Sequence, residues 1–260
     1  MRFSQLNDET VHEYLSANTD STTPWIFQHI PKTAGSSLTA ELSRHRSPYV
    51  NLFVDDSSAI PYRQQMMQHA ASVEPVSDGR PLRSLSGHFT HDEIDVLQGR
   101  LPDARLFTFV RSPVERVISD FRYSRTPQHP DWRKVIEDFP TLDAFIEHSS
   151  AARNQMAFFM LGVREGDPTE IATAAMKRFN FVGSLDSYDV SFRALSLMLW
   201  TQSEPTVHAR PTRETAENKV EITNGQIARI KEQNALDQAI FNRVTKKLSF
   251  IEQYLNKAAA

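Results

Sequence analysis

The chain has 260 residues, enough for one large α/β domain or two small ones with a sizeable core. Hydrophobic residues make up 40% and charged residues 23%, which excludes wholesale disorder, and the net charge of −3 lacks the basic excess typical of a nucleic-acid-binding domain. With no cysteine, disulfides, thiolate metal sites and a cysteine nucleophile are all excluded.

Residues 1–23 are polar and contain no apolar stretch suited to a signal peptide. No uncharged apolar run approaches the roughly 18 residues that span a bilayer. The expectation is a loose N-terminal arm or short peripheral helix over 1–23, a single domain over 24–257, no membrane span and a cytoplasmic location. Trp25 to Ile30, rich in aromatic and β-branched residues between Pro24 and Pro31, reads as a buried strand. A turn over Pro31–Gly35 leads into a helix in which Leu38 and Leu42 share a face. Residues 74–81 read as a loop and Leu82–Ser86 as a short strand ending at Gly87-His88. Arg105–Val110 is the clearest second strand.

After it, Ser112 and Glu115 have the spacing of a capping box, with Pro113 at the first helical position. Val114, Val117, Ile118 and Phe121 then form an apolar stripe expected to face the sheet. Residues 126–140, with three prolines, read as a surface excursion. Helices are expected around 141–149, 152–161 and 189–201, a strand near Phe179–Leu185, and one or two helices from Asn224 to Leu255. Leu236, Ile240, Val244 and Leu248 recur there at four-residue steps. Phe158, Phe159, Phe179, Phe181 and Trp200 read as core. Strands alternating with helices imply an α/β fold with a mostly parallel sheet covered on both faces.

Two segments bear on chemistry. Lys32-Thr33-Ala34-Gly35-Ser36-Ser37 lies between a strand and a helix, where free N–H groups and the helix dipole favour an anion. Taken alone it is equally a capped turn. A nucleoside-triphosphate P-loop needs a longer glycine-rich loop with lysine after glycine, and here lysine precedes it. Arg111 follows the second strand, and Arg111, Glu115 and Ser119 fall along one edge of the next helix. Arginine there suits a bidentate phosphate contact, but taken without the first turn it reads rather as a surface pair with Glu115.

Together the segments resemble PAPS-dependent sulfotransferases, enzymes whose donor is 3'-phosphoadenosine 5'-phosphosulfate (PAPS). WIFQHIPKTAGSSL resembles their 5'-phosphosulfate loop and LFTFVRSPVERVISDFRY their 3'-phosphate segment, closest to the carbohydrate branch that includes heparan and uronyl 2-O-sulfotransferases. SGHF at 86–89, NQMAFFMLG at 154–162, FNFVGSLDSYD at 179–189 and HARPTRE at 208–214 follow in family order. The resemblance implies a P-loop-kinase-like α/β fold, PAPS as donor with no metal required, and a hydroxyl acceptor, a carbohydrate, glycolipid or other small molecule. It assigns Lys32, Thr33, Ala34, Gly35, Ser36 and Ser37 to the 5'-phosphosulfate and Arg111 with Ser119 to the 3'-phosphate. Arg210 and Thr212 would close over the nucleotide. His29 stands where some relatives have arginine, and Ser112 where aspartate is common.

Sulfuryl transfer resembles in-line phosphoryl transfer, governed by positioning and charge stabilisation. Lys32 is assigned to the leaving 5'-phosphate oxygen and His88 to the base for the acceptor hydroxyl. A lone histidine near a strand end is more often structural, and it is the family's Gly-His pair that selects His88. His29 is expected to be a hydrogen-bonded core or rim residue and His91 a surface one. Arg80 and Arg83, close to His88 in sequence, are either acceptor-lining cations or solvated surface. A nucleotide-dependent kinase and a non-catalytic nucleotide-binding protein of the same fold are the alternatives.

Overall fold

A computed structural model describes residues 1–19, 22–54, 58–199 and 219–259. The chain opens with a 3-10 turn, Phe3–Gln5, and helix α1, Val11–Asn18. Strand β1, Trp25–Gln28, then enters the middle of a five-stranded sheet, followed by α2, Gly35–His45, β2, Tyr49–Leu52, and α3, Tyr62–Ala71. A two-residue antiparallel ladder, β3 Val76–Ser77 with β4 Arg80–Pro81, turns through Asp78 and Gly79, both at positive φ. Strand β5, Ser84–Gly87, leads to α4, His91–Arg100, and β6, Arg105–Val110, to α5, Pro113–Ser124. Helices α6, Trp132–Asp138, α7, Leu142–His148, α8, Gln155–Leu161, and α9, Pro168–Arg178, precede β7, Phe181–Ser184. Helices α10, Tyr188–Leu199, α11, Asn224–Gln233, and α12, Ala235–Ala259, complete the fold.

The sheet order is β2-β5-β1-β6-β7, and all four neighbouring pairs run parallel. This is the expected α/β architecture. Strands β1, β5 and β7 are buried along their whole length because helices cover both faces, and in β5 this burial includes Ser84 and Ser86 as well as Leu85. The chain leaves β1 toward β2 on one side, and after β5 crosses to β6 on the other. The carboxyl ends of β5, β1 and β6 therefore flank a topological switch point, where ligands of open α/β sheets bind.

Several expectations are corrected. Residues 1–19 are not a loose arm: Phe3, Leu6, Val11 and Tyr14 are buried in the main core, and the Tyr14 hydroxyl donates to the Asn180 carbonyl. Apolar side chains spaced for one face drive this docking despite the polar composition around them. The α5 stripe does not face the sheet. Val117, Ile118 and Phe121 pack with Leu142, Phe145, Ile146 and Ile230 in a second apolar cluster built on α7 and α11. The Ser112–Glu115 capping box does not form. Ser112 caps without its side chain and its N–H donates to Asp186 at 3.0 Å, while Glu115 turns to Arg111.

Helix α8 is locked beneath the switch point by reciprocal capping. The Asn154 N–H donates to Asn234 at 2.8 Å, the Leu236 N–H donates back to the Asn154 side chain, and fully buried Asp237 accepts from Met156 and Ala157. At its other end, the Phe159 carbonyl accepts from Gln28 at 2.6 Å, tying α8 to the last residue of β1. Among the described residues no helix is long and apolar enough to cross a membrane.

Candidate active site

Three loops meet at the switch point, one after each of β1, β5 and β6. The first runs from His29 to Ala34. Lys32 and Ala34 both adopt left-handed backbone, with φ of 69° and 91°, an uncommon and strained conformation for residues other than glycine. Thr33 is wholly buried and its hydroxyl donates to the Ile30 carbonyl at 2.8 Å, which pins the turn. Among the described residues no side chain caps α2, and its first helical bond runs from the Leu38 N–H to the Ala34 carbonyl. The N–H groups of Gly35, Ser36 and Ser37 thus sit at the positive end of an 11-residue helix, facing the loop.

Gly35 is required here by packing. The His29 ring occupies the place of a β-carbon at residue 35, whose nearest atom would be Nε2 at 1.6 Å. His29 is also stacked against Phe27, at 5.5 Å between ring centres, and against His88, at 4.1 Å. It lies just past β1, its N–H donating to the Gly87 carbonyl. Burial, then the neighbouring His88 and Lys32, push its pKa well below the ordinary histidine range, so His29 is neutral.

The second loop carries His88. Its Nδ1 lies 2.9 Å from the His29 carbonyl oxygen, which only accepts, so Nδ1 bears the proton and Nε2 keeps a lone pair. Burial lowers the His88 pKa against the opposing effect of that hydrogen bond, with Arg63 and Lys32 adding to the lowering. The imidazole is therefore a neutral, oriented base at pH 7. Arg63, in α3, donates to the His88 carbonyl at 2.8 Å and sits 3.6 Å from the Glu93 carboxylate.

Lys32 lies with its Nζ 3.8 Å from the centre of the Tyr123 ring. Burial lowers its pKa, Asp120 opposes that shift, and Arg111 reinforces it. Asp120 pairs with fully buried Arg116 at 3.3 Å, so it is not free to neutralise the lysine alone. In the third loop, partly buried Arg111 reaches Glu115 at 3.5 Å, and Ser119 makes no hydrogen bond among the described residues. Arg111, Lys32 and the α2 N-terminus thus give a concentration of positive charge at one edge of the sheet, with His88 beside it.

The structure thus brings together His88, Lys32 through Ser37 and Arg111, while Ser119 lies on α5 one helical turn before Tyr123. Arg210 and Thr212, like Trp200, lie outside the described residues. Arg80 and Arg83 are at the opposite, amino end of β5 from His88, so they do not line this site. The reason is strand direction: β5 carries the chain away from them before His88 is reached. His91, at the start of α4, faces Asp92 and Asp95 and contributes nothing to the cluster.

Sequence reasoning missed Arg63, Tyr123, Asp120 and Asp186. Asp186 had a signal in its position just after a strand. Tyr123 lies one helical turn beyond Ser119 on the same edge of α5, a spacing that was available.

A family model described as the sulfotransferase family matches residues 16–249, most of the chain and all seven strands. No curated protein matches the sequence.

Proposed function

The chain belongs to the sulfotransferase family, and from that premise we propose that it transfers the sulfuryl group of PAPS to a hydroxyl of a carbohydrate or glycolipid acceptor. The observation that carries the reading is the conjunction at the switch point: a helix N-terminus with a lysine and, among the described residues, no side-chain cap, and next to it a histidine whose Nδ1 is engaged so that Nε2 is the ring's basic nitrogen.

The N–H groups of Gly35, Ser36 and Ser37 receive the 5'-phosphosulfate, and Arg111 with Ser119 receives the 3'-phosphate, Arg111 exchanging Glu115 for a second anion. Thr33 and Ala34 hold the loop in the left-handed shape that aims those groups inward. His88 Nε2 takes the proton of the acceptor hydroxyl as its oxygen attacks sulfur. The bond from sulfur to the bridging phosphate oxygen breaks in line, and negative charge grows on the departing 5'-phosphate. Lys32, moving off Tyr123, meets that charge. The products are a sulfate ester and 3',5'-adenosine bisphosphate (PAP), with the proton left on His88.

The test is transfer of labelled sulfate from PAPS to a neutral glycoside. Label in the glycoside, with PAP released in equal amount, supports the reading. Donor hydrolysis without transfer, or phosphate transfer from ATP, contradicts it.

A further inference from the structure

The exposed apolar residues beside His88 bear on which acceptor is used. Among the described residues five large hydrophobic side chains are exposed, and three of them fall in one short stretch: Phe53 at 73%, Ile60 at 40% and Tyr62 at 39%. Single exposed apolar residues are ordinary, but a cluster beside a reactive group marks a ligand surface.

Register brings Phe53 to the site, and Arg63 brings Tyr62. Leu52 of β2 pairs with Gly87 of β5 in parallel, so Phe53 and His88 are the next residues of two adjacent chains. Backbones of neighbouring strands run about 4.8 Å apart. Arg63 bridges the same two segments: its guanidinium lies 5.1 Å from the Tyr62 ring centre and 5.3 Å from that of Phe159, and it donates to the His88 carbonyl at 2.8 Å.

The charge here is already engaged. Arg63 faces Glu93 at 3.6 Å, and Glu93 is held by the Thr90 N–H in the capping box of α4. Arg80 and Arg83 are at the far end of β5. Residues 53–62 contain no lysine or arginine. Among the described residues, the Phe53–Tyr62 side of His88 thus offers apolar contact, and its one cation, Arg63, is held by Glu93 and the His88 carbonyl, the reverse of what an anionic polysaccharide needs.

We infer that Phe53, Ile60 and Tyr62 form an acceptor platform for the apolar part of an uncharged amphipathic alcohol, a glycolipid or alkyl glycoside whose sugar hydroxyl reaches His88. This deepens the sulfotransferase reading and rests on it. The hydroxyl end stays polar at Nε2 while the hydrocarbon covers the three exposed side chains and releases their water.

The test compares octyl and methyl β-galactoside as acceptors for PAPS, the octyl compound below its micelle concentration, with an anionic glycosaminoglycan as third acceptor. The expected kcat/KM for the octyl compound exceeds that for the methyl one by about 60-fold, a factor of about four for each of roughly three buried methylenes. The double variant Phe53→Ser, Ile60→Ser lowers that ratio at least about tenfold while PAP affinity and Tm stay unchanged, because both side chains are on the surface. Equal kcat/KM for the two glycosides, turnover of neither with PAP binding intact, or preference for the glycosaminoglycan overturns the platform. Failure of the wild-type chain to bind PAP overturns instead the sulfotransferase reading beneath it.

Discussion

The two edges of the one parallel sheet are built by opposite rules. At the amino edge the incoming segments close on each other: Trp25 donates to the Arg83 carbonyl, Arg105 to that of Pro24, and Arg83 and Ser84 to that of Pro48, all between 2.9 and 3.2 Å. At the carboxyl edge two non-glycine residues are held at positive φ, a helix starts without a side-chain cap, and two imidazoles are stacked at 4.1 Å. Strain and unclaimed donors persist only where surrounding structure over-determines them, and they concentrate at functional sites. Here the over-determination is visible: Thr33 pins the turn, His29 fills the space above Gly35, and α8 braces β1 through Gln28.

Substitutions at the two edges should therefore diverge, and the largest effect is expected at His88. His88→Ala should lower kcat by about 10²–10⁴ with PAP affinity, by calorimetry, within about twofold of wild type. In the wild-type enzyme the base must be neutral, and burial holds its pKa below the ordinary histidine value of 6.5. The rate should be flat through neutral pH and fall about tenfold per pH unit below that lowered pKa, and a fall beginning above pH 7 would contradict the assignment.

Stability follows the same sign. His29 and His88 have folded-state pKa values below the unfolded one, so the unfolded chain binds more protons as pH drops beneath about 6.5. Stability should decline from there down to the folded-state values, as read by denaturant midpoints.

Next in size, Arg111→Ala should weaken PAP by about 10–100-fold, the worth of a charge-assisted phosphate contact. 5'-AMP, which lacks the 3'-phosphate, should lose less than about threefold. Equal losses for the two nucleotides would remove Arg111 from the 3'-phosphate. The smallest effect belongs to the amino edge. Arg80→Ala and Arg83→Ala should leave kcat/KM within about twofold, as surface changes away from the site do. A tenfold loss in either would mean that the acceptor reaches around β5 and would blur the contrast.

The catalytic edge was more legible in the sequence than the scaffold behind it. The segment after β1 announces itself by Gly and Ser before an apolar helix, and Arg111 by following an unbroken apolar strand. Strand β2 was not expected because Tyr49–Leu52 is an edge strand, only partly buried and interrupted by Asn51. Helix α3 was missed because its sequence, YRQQMMQHAA, is weakly amphipathic and buries Gln65 along with Met66 and Ala70.

Two other helices carried signals that went unread. Thr90 and Glu93 form the capping box of α4, and Asp167-Pro168 caps α9 through the N–H groups of Thr169 and Glu170 at 2.9 Å. The direction of the α5 stripe was not legible at all. A 3.6-residue period fixes that a face is buried, not which partner buries it. For the same reason Arg63 was invisible: its link to His88 joins residues 25 apart through strand pairing that local pattern does not encode.

The most direct test of the central claim, that the carboxyl edge is a site for a 3'-phosphorylated nucleotide, is calorimetric titration of the wild-type chain. PAP would be compared with ADP, and with ATP plus magnesium. PAP should bind at least about tenfold more tightly than either, without added metal. Tighter binding of ATP with magnesium would contradict it and make the site that of a kinase, and binding of none of the three would leave the fold without the donor site assigned to it.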